Sequence, residues 1–262
     1  MASSKSTICL SVYIITKNEA DRMIRCLESV FWADEIVVVD SGSTDDTVKI
    51  AKTYTDKVFN RKWKGFVKQK NEALELTSGD WALNIDSDEI VSEELRHSIE
   101  EALNIDIPDG INGFIITRKV NYLGKWIYHS GWYLEHKLRL TRKGKGKWIG
   151  DEVHERLEVT GGRAEKLEGV LYHTPYRSIS DHLKIIDRYS TIGARTLYKS
   201  GGRFRLLDLL IRPPLRFFKM FVLKLGFLDG VHGIILGIMG AYYVFLKYAK
   251  LWKIENEGNC DG

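Results

Sequence analysis

The sequence predicts an α/β protein: a mostly parallel sheet flanked by helices, followed by a helical C-terminal extension that associates with a membrane. Three observations carry this reading. Three short β-branched runs (Ile8 to Thr16, Ile36 to Asp40, Trp81 to Asp86) alternate with helical patterns. Each run ends in polar or acidic residues. The C-terminal quarter is at once the most apolar and the most basic part of the chain.

The chain has 262 residues, 44% apolar and 28% charged, enough for a sizeable core and unlike a disordered protein. Cys9, Cys26 and Cys260 are odd in number and lack Cys-x-x-Cys or Cys/His spacing. Neither a disulfide framework nor a structural zinc site is expected, and a reducing compartment is. The apolar stretch from Ile8 to about Ile15 is short and runs directly into Asn18, Glu19 and Asp21, unlike a secretory leader. It reads as a buried strand, and the expected location is cytoplasmic.

Near-continuous apolar character in the three runs fits strands covered on both faces. After the first, Ala20, Met23, Ile24, Leu27 and Val30 recur at helical spacing and predict a helix over Glu19 to Phe31. A second helix is expected from Ser43 or Thr44, where Ser43 and Asp46 resemble a capping box. A third is expected over Val67 to Leu76, ended by Ser78-Gly79-Asp80. This βαβαβ order implies right-handed crossovers and a ligand crevice at the carboxyl ends of the strands. Beyond Asp88, Ser92 to Leu103 reads as a helix with Glu93 and Glu94 in its first turn. β-like runs follow at Gly113 to Leu123, Trp132 to Leu140 and Val153 to Val159, with a basic turn over Arg142 to Lys147. A helix over Ser180 to Tyr198 closes the globular part at Gly201-Gly202. The expected division is a domain over 1–202, with halves 1–103 and 104–202, and a helical region over 203–262.

The chemistry-bearing residues gather at the strand ends. In Asn84-Ile85-Asp86-Ser87-Asp88-Glu89 an apolar strand turns into three carboxylates within four residues. Their mutual repulsion calls for a cation or a hydrogen-bonding ligand, and Mg²⁺ or Mn²⁺ needs only one or two protein carboxylates when substrate phosphates complete its shell. An Asp-x-Asp spacing at a strand end is expected to send both side chains to one side. Alone, such a motif also describes a solvated acidic turn. Asp40-Ser41-Gly42-Ser43-Thr44-Asp45 likewise follows a strand and opens a helix: Asp40 can accept from a base or ribose hydroxyl, and Gly42 lets the backbone approach a ligand. Thr16-Lys17-Asn18-Glu19 is a polar turn on the same edge.

Together, "SVYIITKNEADRMIRCLESV", "IVVVDSGSTDDT", "KGFVKQKNEAL" and "WALNIDSDE" resemble a family 2 inverting glycosyltransferase of GT-A fold over roughly the first hundred residues. The later "GKWIYHSGWYLEHKLRLTRKGKGKW" and "DEVHERLEV" resemble a subgroup that adds β-linked glucose to the lipopolysaccharide inner core. The resemblance implies a UDP-sugar donor, a lipopolysaccharide-core or related lipid-linked glycan acceptor, and a divalent cation. It makes residues 1–103 the nucleotide-sugar half and 104–202 the acceptor half. Thr16, Asn18 and Glu19 match the uridine-side turn, and Asp40 matches the uracil-contacting carboxylate. Lys70 and Asn71 correspond to positions lining the nucleotide pocket. Asp86 would face the ribose or the metal, and Asp88 would ligate the metal directly. The family draws its base from an acidic residue of the second half, here Asp151, Glu152 or Glu155. Glu155 is favoured because His154-Glu155 resembles the subgroup motif, whereas Asp151-Glu152 reverses the usual Glu-Asp signature.

His173, in Tyr172-His173-Thr174-Pro175, is a candidate metal or diphosphate ligand or a satisfied structural histidine. Lys137, Arg139 and Arg142 are candidate receivers of an acidic or phosphorylated acceptor or a plain solvated strand face. Residues Met1 to Gly202 hold 30 basic and 30 acidic residues, whereas Arg203 to Lys253 hold nine basic against two acidic. Such asymmetry points to a surface partner. Leu206 to Leu228 mixes large apolar side chains with Arg212, Arg216, Lys219 and Lys224, the composition of an interfacial helix on anionic lipid. The 17 uncharged residues between Asp229 and Lys247 lie at the lower edge of a span and contain three interior glycines. The expected location is peripheral, on the cytoplasmic face of the inner membrane. Nucleic-acid binding is not expected, because the C-terminal aromatics sit in aliphatic runs. Two other classes fit the fold, a non-catalytic nucleotide-sugar or membrane-surface protein and a nucleotidyltransferase. The latter needs a glycine-rich phosphate loop after the first strand, which Thr16 to Glu19 does not provide.

Overall fold

The computed structural model describes residues 8–104, 107–150 and 155–258. The elements begin β1 (Leu10–Thr16), α1 (Ala20–Val30), β2 (Glu35–Asp40), α2 (Thr47–Ala51), β3 (Val58–Asn60), α3 (Phe66–Glu75), β4 (Trp81–Asn84), β5 (Glu89–Val91) and α4 (Glu93–Asn104). They continue with β6 (Ile111–Tyr122), β7 (Lys125–Trp126), β8 (Glu135–Arg142), β9 (Gly146–Ile149), β10 (Arg156–Val159) and β11 (Arg163–His173). The helices α5 (Ile179–Lys199), α6 (Leu206–Phe218) and α7 (Val231–Gly258) end the chain. Two compact units result: Met1–Lys119 with Glu135–His173, and Val120–Leu134 with Thr174–Gly262.

In the first unit the strands run in the order β3-β2-β1-β4-β8-β6-β11-β5. The sheet is mixed. Pairs β3–β2, β2–β1 and β1–β4 are parallel, and pairs β4–β8, β8–β6 and β11–β5 are antiparallel. The continuous apolar runs are explained by two cores on opposite faces. Val12, Ile14 and Val38 meet α1 and α4 through Leu27 and Ile99, whereas Tyr13, Ile15, Val37 and Val39 meet α3 through Ala73. With side chains alternating at period two, both faces must be apolar.

Two sequence expectations change here. The second helix starts at Thr47 rather than Ser43 or Thr44, and no side chain caps it. The polar residues of the preceding turn bond across to the first strand's turn instead: Ser43 Oγ accepts from Asn18 N at 2.8 Å, and Thr44 N donates to Asn18 Oδ1 at 2.8 Å. The basic turn over Arg142 to Lys147 is shorter than expected, because Gly146–Ile149 pairs with Arg156–Val159 as a separate hairpin. The strand before His173 is longer than its sequence suggests, 11 residues, because exposed Glu165, Lys166 and Glu168 mask its buried Leu167 and Leu171.

At the opposite end of the parallel strands, Glu35 is nearly buried, 7% exposed. It accepts from Lys57, from the Ser11 hydroxyl, and from Ser78 N and Oγ at 2.7 and 2.6 Å. Burial pushes this carboxyl up, but Lys57, Ser11 and Ser78 outweigh it and bring it down to about 2. A depressed folded value means stability present above the unfolded value, about 4.3, and lost as pH falls toward 2. Glu35→Gln should therefore cost about 3 kcal/mol near neutrality. Urea unfolding across pH should show that difference shrinking between pH about 4.5 and 2.

In the second unit α7 packs on both α5 and α6. Among the described residues it is the one helix long and apolar enough to cross a membrane by length and composition. Its interior glycines are packing positions. A Cβ at Gly237 would lie 3.0 Å from the Phe217 ring, at Gly240 2.4 Å from Met220 Sδ, and at Gly233 1.7 Å from the Gly226 carbonyl oxygen. Asp229, 2% exposed, accepts from Tyr128 N at 3.2 Å and His129 N at 2.9 Å, which fixes the loop after β7. Because the obstacle at Gly233 is backbone, Gly233→Ala should cost about 3 kcal/mol, read as a lowered thermal unfolding midpoint.

Candidate active site

The carboxyl ends of β1, β2 and β4 lie side by side, with Thr16 paired to Asp40 and Tyr13 to Asn84. Asp40, 1% exposed, accepts from Gly42 N at 2.8 Å, from Ser43 N at 2.9 Å and from the Ser43 hydroxyl. Three of a carboxylate's roughly four acceptor positions are thus filled by its own turn, leaving one. Gly42 at φ 83° and Asn18 at φ 55° make the two left-handed bends that this interlocked edge requires. Glu19 lies 3.7 Å from Arg22 Nη1, and its N–H donates to Thr47 Oγ1 at 2.8 Å. Thr16 is buried and its Oγ1 has no hydrogen-bond partner.

Strand β4 ends at Asn84, so Asp86 and Asp88 stand on a turn and the strand alternation does not govern them. They meet different partners. Asp86 Oδ1 lies 3.0 Å from Lys70 Nζ, and Oδ2 accepts from Arg139 Nη2 at 2.9 Å. Burial pushes the Asp86 carboxyl up, but Lys70 and Arg139 outweigh it and hold it well below the usual carboxylate range. Asp88 Oδ2 lies 3.2 Å from His173 Nε2 and 3.7 Å from Arg22 Nη1. Against burial, His173 first and Arg22 after it lower the Asp88 carboxyl. Residue 173 reaches residue 88 because β11 pairs with β5 in a register that sets His173 opposite Glu89.

Glu89 is fully buried and bonds Arg139 Nη2 at 2.8 Å and Arg118 Nη1 at 3.3 Å. Arg139 also donates to Asn84 Oδ1. Burial would draw the Arg139 guanidinium down, but Glu89 and Asp86 hold it above its ordinary value. This overturns the reading of Arg139 as a receiver of an acidic acceptor. It is 4% exposed and bonded to three acceptors at a register shift, where Leu138 and Leu140 stand opposite Ile115 and Phe114 and Arg139 is the extra residue of β8, whereas Lys137 and Arg142 stay at the surface.

Lys70 is nearly buried, with Nζ 4.3 Å from the Trp148 ring centroid and 3.6 Å from Glu155 Oε1. Asn71 clamps Trp148 by two main-chain bonds of 2.9 Å, and the indole donates to the Tyr13 hydroxyl at 2.8 Å. Hairpin β9–β10 is thereby anchored to α3, which places Glu155, just before β10, beside Lys70. The candidate bases Asp151 and Glu152 lie outside the described residues.

Among the described residues no three His, Cys, Asp or Glu side chains converge on one point. Asp88 and His173, in contact at 3.2 Å, are the pair that could hold a metal together. Adjacent ligands of an octahedral ion held at about 2.1 Å stand about 3 Å apart, close to the 3.2 Å observed between Oδ2 and Nε2. The His173 Nδ1 is buried without a hydrogen-bond partner, a state that in a folded protein calls for a ligand, a water or a functional role. The donor set suits a divalent cation whose shell is completed by phosphate oxygens. Sequence reasoning missed Arg22 and Arg118, and named Glu89 in the carboxylate cluster without giving it a role. The only available signal was an excess of carboxylates with no visible counter-charge nearby in sequence.

A mixed sheet in this order, with helices on both faces and a polar, carboxylate-bearing edge at the ends of its parallel strands, is a GT-A-type fold. Residues 11–158 match glycosyl transferase family 2, and the chain belongs to that family and is a glycosyltransferase. It is 32% identical over 250 residues to the lipopolysaccharide core biosynthesis glycosyltransferase LpsC of Rhizobium meliloti (strain 1021), covering 93% of this chain and 92% of that one. It is 34% identical over 255 residues to a glycosyltransferase of Rickettsia typhi (strain ATCC VR-144 / Wilmington), covering 94% and 87%. Its fold is similar to that of a Pyrobaculum calidifontis mannosyltransferase solved with GDP-Man and Mn²⁺, with TM-score 0.52, 14% identity, and 94% and 88% of the two chains covered. Family and fold agree with the resemblance read from the sequence.

The guanidinium network gives a test of its own. Arg139→Met leaves buried Glu89 with Arg118 as its basic partner and the Asp86 N–H, and should cost about 3–5 kcal/mol, whereas Lys137→Met on the same strand should cost under about 0.5 kcal/mol. Urea unfolding of the two variants measures the contrast.

Proposed function

We propose that this glycosyltransferase moves glucose, with inversion, from UDP-glucose to a hydroxyl of a lipopolysaccharide-core or related lipid-linked glycan on the cytoplasmic side of the inner membrane. The observation that carries the reading is the Asp88–His173 pair at 3.2 Å on a strand-end edge that also presents Asp40, Lys70 and Glu155. The relative in lipopolysaccharide core biosynthesis, alike over 93% of this chain, supports the acceptor class. The remaining acceptor position of Asp40 suits an N–H of the base, and Thr16, Asn18, Glu19 and Gly42 border it. A divalent cation held by Asp88 and His173 would supply charge neutralisation for the departing diphosphate, and the imidazole ligand favours Mn²⁺ over Mg²⁺.

Glu155 takes the proton from the acceptor hydroxyl as its oxygen bonds to the anomeric carbon. The bond from that carbon to the diphosphate oxygen breaks, and its electron pair leaves with UDP. Asp86 is unsuited to this step, because a carboxyl held so low by Lys70 and Arg139 accepts a proton poorly at neutral pH. Asp86 instead keeps Lys70 in place, next to Glu155 and on the nucleotide side.

Glu155→Gln should lower kcat by about 10²- to 10⁴-fold with UDP affinity nearly unchanged. A Glu152→Gln protein that behaves this way in its place would move the role. Asp88→Asn should weaken UDP binding only when Mn²⁺ is present, measured by calorimetry. UDP release should be greatest with UDP-glucose among UDP-glucose, UDP-galactose and UDP-N-acetylglucosamine. UDP binding without release from any donor would make the chain a binding protein.

A further inference from the structure

We propose that α6 and the turn after it dock in the plane of an anionic lipid bilayer, with α7 lying along that surface rather than crossing it. Docking of this kind does not depend on which sugar or acceptor the enzyme uses, and it is built wholly within the second compact unit.

The case rests on how α6 divides its circumference. At about 100° per residue, Leu207, Leu210, Ile211, Leu215 and Phe218 share one arc about 140° wide. These side chains are between 48% and 67% exposed. Arg205, Arg212, Arg216 and Lys219, all exposed, fill a neighbouring arc about 60° wide. Buried Pro213 marks the remaining side. An exposed apolar arc bordered by cations is the pattern of a helix lying at a headgroup boundary. The surface continues past α6, where a π-helical turn (Lys219–Leu223) and a 3-10 turn (Gly226–Asp229) leave Leu223, Leu225, Phe227 and Leu228 exposed beside Lys224.

α7 adds a stripe of Val231, Ile234, Ile238, Tyr242, Phe245 and Trp252, all exposed. Gly233, Gly237 and Gly240 lie roughly a third of a turn away around the same helix, on the side that meets Gly226, Phe217 and Met220. At its far end Lys250 Nζ bonds the Asp187 carbonyl at 2.6 Å, its carboxylate at 2.6 Å, Ser190 Oγ at 2.9 Å and Thr191 Oγ1 at 2.7 Å, all on α5. A spanning α7 would have to release these partners or carry charged α5 into hydrocarbon. Lying in the plane keeps both sets of contacts.

Charge selects the occupant. Arg203 to Lys253 carry nine basic residues against two acidic. A second copy of the chain paired face to face on α6 would bring two basic arcs together. A bilayer containing anionic headgroups meets apolar and basic arcs with matching chemistry.

The test is sedimentation of the full chain with vesicles of phosphatidylcholine alone or of equal parts phosphatidylcholine and phosphatidylglycerol. Binding is expected to the anionic vesicles, weakened by added salt, with release by alkaline carbonate. Arg216→Gln and Lys219→Gln should each weaken it about fivefold. Ile211→Glu should weaken it at least about tenfold with an unchanged melting temperature, because the position is exposed. Absence of binding to anionic vesicles, or binding indifferent to all three substitutions, overturns the dock. Resistance to carbonate would show a span instead. Dimerisation relieved by Ile211→Glu, without vesicle binding, would assign the face to a second copy. UDP release in lipid-free buffer should be the same for Ile211→Glu and the unsubstituted chain, so failure of the dock and failure of the transfer reading are told apart.

Discussion

The structure turns on a single buried guanidinium. Arg139 reaches from β8 to Asn84, Asp86 and Glu89, and so ties the antiparallel part of the sheet to the end of its last parallel strand. Desolvating such a charge is expensive unless good hydrogen bonds surround it, and here three acceptors do. The same contact helps hold the Asp86 carboxyl below the usual carboxylate range where burial alone would raise it. Stability and site electrostatics therefore depend on the same atoms. An arginine serves where a lysine would not, because one planar group must donate in several fixed directions.

Much of the polar strand-end edge was legible in the sequence, for a physical reason. Strands buried on both faces must be apolar throughout, so β1, β2 and β4 stand out, and the polar residues that end them fall at one edge once the crossovers are right-handed. What followed Asp88 was less legible. β5 has three residues, and β11 hides its alternation behind exposed Glu165, Lys166 and Glu168. Both positions matter, since their pairing brings His173 to Asp88. The carboxylate cluster shows the limit most plainly. Repulsion among Asp86, Asp88 and Glu89 implies compensation, but a sequence does not say by what. A cation from solution was one answer. The fold supplies another for Asp86 and Glu89, through Lys70, Arg118 and Arg139, and leaves Asp88 with His173 and Arg22. That division separates the carboxylate suited to a metal from the one that organises the lysine.

Arg139 and Lys70 also show why charge type alone misleads. Both are basic residues in a chain whose first 202 residues carry equal numbers of acidic and basic groups, yet both are nearly buried. A site that receives a nucleoside diphosphate needs local positive potential, not net charge, because a few cations in a low-dielectric cleft outweigh many at the surface.

The C-terminal region inverts that logic. Its interior glycines stand in an apolar stretch at the lower edge of a span, and Gly233, Gly237 and Gly240 let α7 approach Gly226, Phe217 and Met220 closely. Close packing on that side leaves the large apolar side chains of α7 on another, and α6 is divided likewise by Pro213 on its packed side. Once each helix has spent one side on its neighbour, the apolar residues still exposed are too many and too contiguous for an ordinary soluble surface. Long-range attraction to an anionic surface depends on net charge, and the basic excess of Arg203 to Lys253 supplies it. Local neutralisation at the site and net charge in the helices are thus two uses of the same residue types, distinguished by burial.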